Sequence, residues 1–237
     1  MALEVLKNKN QIKQSRRKLL DRGVSLIESP MQSLMRSLKL RPGMAIGDRV
    51  KSWDVFLSLD FLESHLQKNE PILDIGCFAS ELVVALCKLG FSNLTGVDLN
   101  PHLHKMPQQD SVRYVTTDFM HTKFNVSSFK AITSISVIEH GFNSDLLLKE
   151  VSRLLKSGGY FIASFDYWRD KIDTSGLQYF GLDWKIFSED EVKKFVTEAA
   201  GYGLFPLGEM KYGIEDKPIS CGGKQYTFAW LVLVRRA

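Results

Sequence analysis

Two carboxylates, each closing an apolar run, are the residues in this chain best placed to do chemistry. Asp74 stands in ILDIG and Asp98 in NLTGVDLNP, with a helix-length segment between them. Acids at the tips of neighbouring strands suit a ligand that is cationic and carries a ribose diol. Asp98 can accept from both ribose hydroxyls, each charge-assisted bond contributing about 1.5–3 kcal/mol. Gly76 can take the positive φ that turns the chain sharply off the first strand, and without a side chain it lets backbone N–H groups approach a ligand. Leu99 offers apolar surface to a purine. Asp118, in VRYVTTDF, is placed to accept from an exocyclic amine, with the Phe119 N–H as a neighbouring donor. Further on, ITSISVIEH brings Ser136 and His140 to the same edge, and Asp166 follows an apolar run in SFDYW. Strand, tight turn, helix and acid-tipped strand form the unit that binds a nucleoside at the carboxyl edge of a parallel sheet.

A dinucleotide does not suit this turn. The GxGxxG fingerprint would need glycine at positions 78 and 81, where the chain has Phe78 and Glu81. A bulky ring and an anion beside a pyrophosphate are costly through sterics and like-charge repulsion.

The elements that must position these residues follow from the pattern. Strands are expected at 72–75, 93–98, 112–116, 130–135, 159–165, 203–208 and 226–234, with helices at about 80–89, 144–155 and 189–200. Asn143 or Ser144 can cap the second of these helices and Gly158-Gly159 can end it, while Ser188 and Glu191 form a capping-box pair for the third. The alternation implies an α/β fold with a doubly wound, mostly parallel sheet. The connection 212–223 has no helical pattern, so the last two strands are expected to be antiparallel neighbours. Residues 3–40 read as helical, the Arg41-Pro42-Gly43 corner stops them, and a further helix runs from Trp53 to Leu66. The expected organisation is a helical extension or lid over 1–66 and a binding domain over 67–237.

Composition bounds the class. A chain of 237 residues with 44% hydrophobic content builds one large domain, and no apolar run reaches the roughly 20 residues a membrane helix needs. Cys77, Cys87 and Cys221 show no metal-binding spacing, and a reduced cytoplasmic protein is expected. His102 and His104 lie close but lack a third ligand, so no metal is expected. Of the net charge of +4, residues 1–22 carry +5. That basic leading helix is either a plain solvated face or a contact for anionic lipid, nucleic acid or an acidic partner.

Five segments in order now carry a resemblance: DIGC, GVDLNP, TDF, SVIEH and SRLLKSGGYFIASF. The chain resembles the class I S-adenosylmethionine-dependent methyltransferases over about Pro71 to Phe165. The resemblance implies a Rossmann-like seven-stranded sheet with an antiparallel last strand and S-adenosyl-L-methionine as cofactor. It places Asp74 and Gly76, with Cys77 and Phe78 of the same turn, near the methionine part, Asp98 and Leu99 at the ribose and its base, and Asp118 with Phe119 at adenine, with Ser136 at the same edge. The family's usual turn is DxGxGxG, and Phe78 and Ser80 replace its second and third glycines, so either the turn is rebuilt around Phe78, the reading favoured because Asp98, Asp118 and SVIEH remain, or cofactor binding is impaired. Cys77 is a small packing residue within it rather than a nucleophile.

Methyl transfer from a sulfonium chiefly needs alignment, and a hydroxyl acceptor also gains from a general base. His140 and Asp166 are the two candidates; the first can equally hold its turn and the second can cap the following loop. Trp53, Tyr167, Trp168 and the loop from Arg169 to Trp184 are candidates for an acceptor pocket, and their mix of rings and charges suits a sugar. The expected activity is methylation of a small molecule, with a hydroxyl of a sugar or glycan intermediate first. N-methylation, a quinone or lipid acceptor, and a non-catalytic binding protein are the alternatives. Nucleic acid is disfavoured, because no [DN]PP[YFW] segment is present and basic residues do not gather with aromatics along the catalytic edge. Peripheral membrane contact through the basic helix stays open.

Overall fold

The computed structural model describes every residue except Arg41, Phe142 and Ala237, so the first residue of the corner expected at 41–43 lies outside the described residues. The helices are α1 (Lys9–Asp21), α2 (Pro30–Ser37), α3 (Ser52–His65), α4 (Leu82–Lys88), α5 (Ser144–Leu154) and α6 (Glu189–Gly201). The strands are β1 (Leu3–Val5), β2 (Ile72–Ile75), β3 (Leu94–Asp98), β4 (Val112–Thr116), β5 (Phe129–Ile135), β6 (Leu155–Tyr167), β7 (Gln178–Tyr179), β8 (Leu182–Asp183), β9 (Leu204–Pro206), β10 (Ile219–Cys221) and β11 (Lys224–Arg235). They belong to two compact units, Ile12–Asp118 and a second made of Met1–Gln11 with Phe119–Ala237.

In the first unit β2, β3 and β4 pair in that order, all parallel. All four residues of β2 are buried, as expected of a strand covered on both faces. Val55, Leu59 and Leu62 of α3 and Leu82, Val83 and Leu86 of α4 are buried too. In the second unit β5 and β6 are parallel, and β11 runs antiparallel to β6 over Thr227 to Val234. β6 occupies one edge of β11, so β1 and β9 take the other, and β10 continues the pairing at its start. Three short strands thus satisfy the N–H and C=O groups that a long edge would leave open. The element order and pairings are those of a Rossmann-like α/β fold with an antiparallel last strand. The seven strands expected from the sequence all form, and the 204–206 strand pairs antiparallel with β11 as anticipated.

Two expectations are corrected. Residues 3–40 are not one helical region: Leu3–Val5 is a strand, α1 stops before Gly23 at φ +70°, and a capping box of Ser29 and Gln32 opens α2. Leu3 and Leu6 are fully buried, and Leu3 pairs with Leu231 of β11. Nor do Gly158 and Gly159 end α5. That helix stops at Leu154, β6 begins at once, and the glycines sit in an irregularity where the register steps from Phe129–Leu155 to Ala131–Tyr160. A Cβ on Gly159 would lie 2.8 Å from the Lys156 carbonyl oxygen and 2.9 Å from that of Lys130. Asn143 does cap α5, accepting from the Leu146 N–H, and Ser188 with Glu191 forms the capping box of α6.

α5 is tied to the segment after Phe119 by charge. Arg153 Nε donates to Glu150 Oε2 at 2.7 Å, and Thr122 N–H donates to Oε1 at 3.2 Å. Burial alone would raise the Glu150 carboxyl, but the bonds from Arg153 and Thr122 more than offset it and hold it below the ordinary carboxylate value. A folded carboxyl held low contributes stability above its unfolded pKa and loses it as pH falls through the folded value. Glu150→Gln should therefore be less stable at pH 7 by roughly 1–3 kcal/mol in urea unfolding, with the gap to the parent narrowing at pH 3.

Candidate functional site

The turn after β2 is built by backbone hydrogen bonds to β3. Gly76 N–H and Cys77 N–H both donate to the Val97 carbonyl, at 2.8 and 3.2 Å, with Gly76 at φ +68°. Phe78 N–H then donates to Asp98 Oδ2 at 3.0 Å, and Asn100 N–H donates to Oδ1 at 2.8 Å. Both oxygens of Asp98 are thereby fixed, one by each flanking turn, and each keeps a further lone pair for a ligand. The side chain is half-buried, and Leu99 beside it is 60% exposed. Thr116 pairs with Asp98, Thr117 N–H donates to the Asp98 carbonyl at 3.0 Å, and the exposed Asp118 follows. Asp74 is buried on β2, opposite Gly96. Asp74, Gly76, Cys77, Phe78, Asp98, Leu99 and Asp118 therefore gather at the strand ends of one unit.

Two supports of that turn, Met106 and Gly96, were not visible in the sequence. Ala79 N–H lies 3.2 Å from the Met106 sulfur, and Met106 is buried. Gly96 leaves room for two neighbours: a Cβ there would stand 2.7 Å from Cys77 Sγ and 3.0 Å from the Tyr114 ring. Burial first, then the charges of Asp74 and Asp98, push the Cys77 thiol far above its usual range. It stays neutral and packs, as expected of it.

The other unit holds the remaining candidates. Phe119 opens a short helical turn and is buried. Ser136, at φ +53°, donates its N–H to the Ser164 carbonyl at 2.9 Å. The half-buried His140 packs edge-on to Tyr179 at 6.2 Å and to Phe180 at 5.5 Å between ring centroids. Asp166 lies inside β6 rather than after it, is buried, and accepts from Trp184 Nε1 at 2.7 Å. Burial and then Asp166 keep the Tyr226 hydroxyl far above its usual range, so it stays protonated.

Of the rings expected to line an acceptor pocket, Trp53, Tyr167 and Trp184 are buried in the core, and Trp168 is half-buried with the Lys217 ammonium 4.3 Å above it. Phe180 is the ring that sequence reading passed over. It is 90% exposed, at φ +58°, beside Gly181 at φ +77° in the two-residue turn between β7 and β8. That turn type favours Asn-Gly, and a phenylalanine there carries a strain of about 1–2 kcal/mol.

The strand order and pairings are those of a Rossmann-like α/β fold. Residues 73–163 match the family model described as a methyltransferase domain. Two curated relatives are a ribosomal protein L11 methyltransferase of Chromobacterium violaceum, 27% identical over 65% of this chain and 51% of its own, and a sterol 24-C-methyltransferase of Debaryomyces hansenii, 26% identical over 64% and 44%. The chain spans about half the length of the curated relatives it matches. A solved geranyl diphosphate C-methyltransferase of Streptomyces coelicolor shares the fold, with a TM-score of 0.56 at 16% identity over 88% of this chain and 99% of that one.

Gly96→Ala forces Cys77 and Tyr114 apart. It should cost roughly 1–3 kcal/mol in denaturant unfolding, and Cys77→Ala in the same chain should recover part of that loss.

Proposed function

We propose that the chain is an S-adenosylmethionine-dependent methyltransferase acting on a small molecule, with a hydroxyl of a sugar or glycan intermediate as the acceptor group. The observation that carries the cofactor half is the Asp98 carboxylate, oriented in advance by Phe78 N–H and Asn100 N–H. In this reading Asp98 accepts from the ribose hydroxyls, Leu99 lies against the base, and Asp118 with the Phe119 N–H reads the adenine edge. Asp74, Gly76, Cys77 and Phe78 bound the methionine end, and Ser136 completes the set. When bound, the cofactor supplies an electrophilic methyl group on a sulfonium. The chain's own task is to bind and align, worth up to roughly 7–11 kcal/mol in favourable models.

His140, rather than Asp166, takes the acceptor proton in this proposal. Its ring is half-buried on a loop, and an imidazole can both take up and release a proton. Asp166 is 3% exposed and accepts from the Trp184 indole, which suits holding that ring in place. Phe180 and Tyr179 flank His140 with ring faces suited to the C–H surface of a sugar. A lipid or quinone acceptor is the second reading. It is favoured by Met31, Leu34 and Met35 on one side of α2 and Leu38 at its C-terminal cap, all exposed, and by exposed Lys13, Arg17 and Lys18 on α1, which suit an anionic lipid surface. Among the described residues no helix is long and apolar enough to cross a membrane. We assign the helices of 1–66 as an extension of a methyltransferase domain at 67–237. Three free cysteines fit work in a reducing cytoplasm.

S-adenosylhomocysteine at 100 times its dissociation constant should stabilise the protein by about 2.7 kcal/mol in thermal unfolding. Asp98→Ala should weaken that binding roughly 10- to 150-fold, and an unchanged affinity would overturn the cofactor reading. Phe180→Asn should raise folding stability by up to about 1 kcal/mol and leave S-adenosylhomocysteine affinity alone. The same variant should slow labelled methyl transfer into a panel of glycosides; transfer into phospholipid vesicles alone would select the second reading.

A further inference from the structure

One buried ion pair has no part in the roles assigned so far. Arg16 of α1 is 7% exposed and Glu81, the residue before α4, is 2% exposed. Arg16 Nη2 stands 2.8 Å from Glu81 Oε1, and Nη1 donates to Oε2 at 3.1 Å. The same guanidinium donates from Nε to Ser52 Oγ and from Nη1 to Ser25 Oγ, both at 2.9 Å, and from Nη2 to the Asp48 carbonyl at 3.4 Å. All of these residues lie in the unit Ile12–Asp118. Next to Asp48, Gly47 donates its N–H to the Ala79 carbonyl at 2.8 Å. Gly47 sits at φ +83°, and a Cβ on it would lie 2.5 Å from Glu81 Oε2, so the Glu81 carboxylate rests directly against its backbone.

We propose that Arg16 and Glu81 are a positioning pair that sets the conformation of the cofactor turn, and that the strap Ile46–Asp48 is a working part of that site. The inference rests on the cofactor reading of the turn given above. A buried ion pair is a poor stabiliser, since well-packed apolar residues of similar volume usually do as well or better. What such a pair supplies is geometry, because a guanidinium with several fixed partners tolerates few arrangements. This turn needs such a device. Phe78 and Ser80 stand where glycines would let the backbone turn freely, and Ala79 holds φ +60° without being glycine. The Ala79 residue is pinned on both sides, its carbonyl by Gly47 and its N–H by Met106. Glu81 and Arg16 fix the chain that leaves it. The orientation of Phe78 N–H toward Asp98 therefore depends on a residue of α1, far from the motif in sequence.

The test uses the full chain. Arg16→Met/Glu81→Met removes both charges together and should fold, with a thermal midpoint close to that of the parent. Amide exchange at Phe78, Ala79 and Ser80 in the ligand-free protein should quicken about tenfold or more, while exchange in β5 and β6 stays as it was. The dissociation constant for S-adenosylhomocysteine should rise roughly tenfold or more. Arg16→Lys, which keeps the charge but not the fork, should fall between parent and double variant. Unchanged exchange and unchanged affinity in the double variant would overturn the proposal. Should the double variant not fold, Gly47→Ala, which displaces the Glu81 carboxylate with the pair still present, decides by the same two measurements. If the parent itself binds no S-adenosylhomocysteine the cofactor reading fails, and the exchange rates still judge the positioning role.

Discussion

In the Ile12–Asp118 unit the turns after β2 and β3 meet on one carboxylate that is held from two sides. Asp98 accepts a backbone N–H on each oxygen, from Phe78 in the turn after β2 and from Asn100 in the turn after β3. Neither donor is a side chain that could rotate away. The carboxylate is therefore set before any ligand arrives, and the ordering cost that a free side chain would bring to binding is already met. The arrangement also explains how the turn accommodates phenylalanine where a glycine is usual. The N–H vector at position 78 is what Asp98 needs, and the ring, half-buried, is directed by whatever else packs there.

The constraint propagates outward. For Phe78 N–H to point at Asp98, the preceding peptides must cross to β3, which Gly76 and Cys77 do through the Val97 carbonyl. That crossing places the Cys77 side chain against β3, and Gly96 is the residue that leaves it room. The same burial, with two acids nearby, keeps the thiol neutral. Asp166 shows what a carboxylate does under the opposite conditions. It sits within a strand, is buried, and takes the indole N–H of Trp184, where Asp98 takes backbone donors at a half-exposed strand tip. A carboxylate so enclosed is expensive to expose and well suited to holding a ring; one at a strand tip with spare lone pairs suits a ligand.

Much of this was legible in the sequence, and the rest was hidden for identifiable reasons. Apolar runs ending in acids marked β2 and β3 because a central parallel strand is buried along its whole length. Asn143 and Ser188 marked helix starts because capping needs only neighbours a few residues away. Leu3–Val5 was misread because its partner, β11, lies at the far end of the chain, and because Leu3 and Leu6, three residues apart, fit a helical spacing. Gly158 and Gly159 resemble a helix stop, yet they serve a register step against β5 that only strand pairing reveals. Phe180 gave no signal at all, since nothing in composition says that an aromatic residue will take a left-handed conformation at a hairpin tip. Trp184 and Tyr167 read as pocket rings because an aromatic in a polar loop looks the same from sequence whether it faces a ligand or the core.

The division between what likeness explains and what it leaves open follows the chemistry. The match to the methyltransferase domain ends at residue 163, and Asp166, Tyr179, Phe180, Trp184 and Tyr226 all lie beyond it. A donor common to many reactions presents the same charge, diol and base wherever it binds, so the backbone geometry that receives it has few solutions. Acceptors share no such set of groups: among the matched relatives one is named for a ribosomal protein and another for a sterol. In the proposed reading, the parts of this chain that answer to its acceptor are the short β7–β8 turn and the segments packed on β11. These are the places where a strained residue, Phe180, and a thiol that donates a hydrogen bond to a tyrosine hydroxyl, Cys221 to Tyr179 at 3.2 Å, occur together. Phe180 is 90% exposed, so packing does little to offset the strain of its left-handed backbone, and the edge-on ring of His140 is a contact that an unstrained Asn-Gly turn would remove.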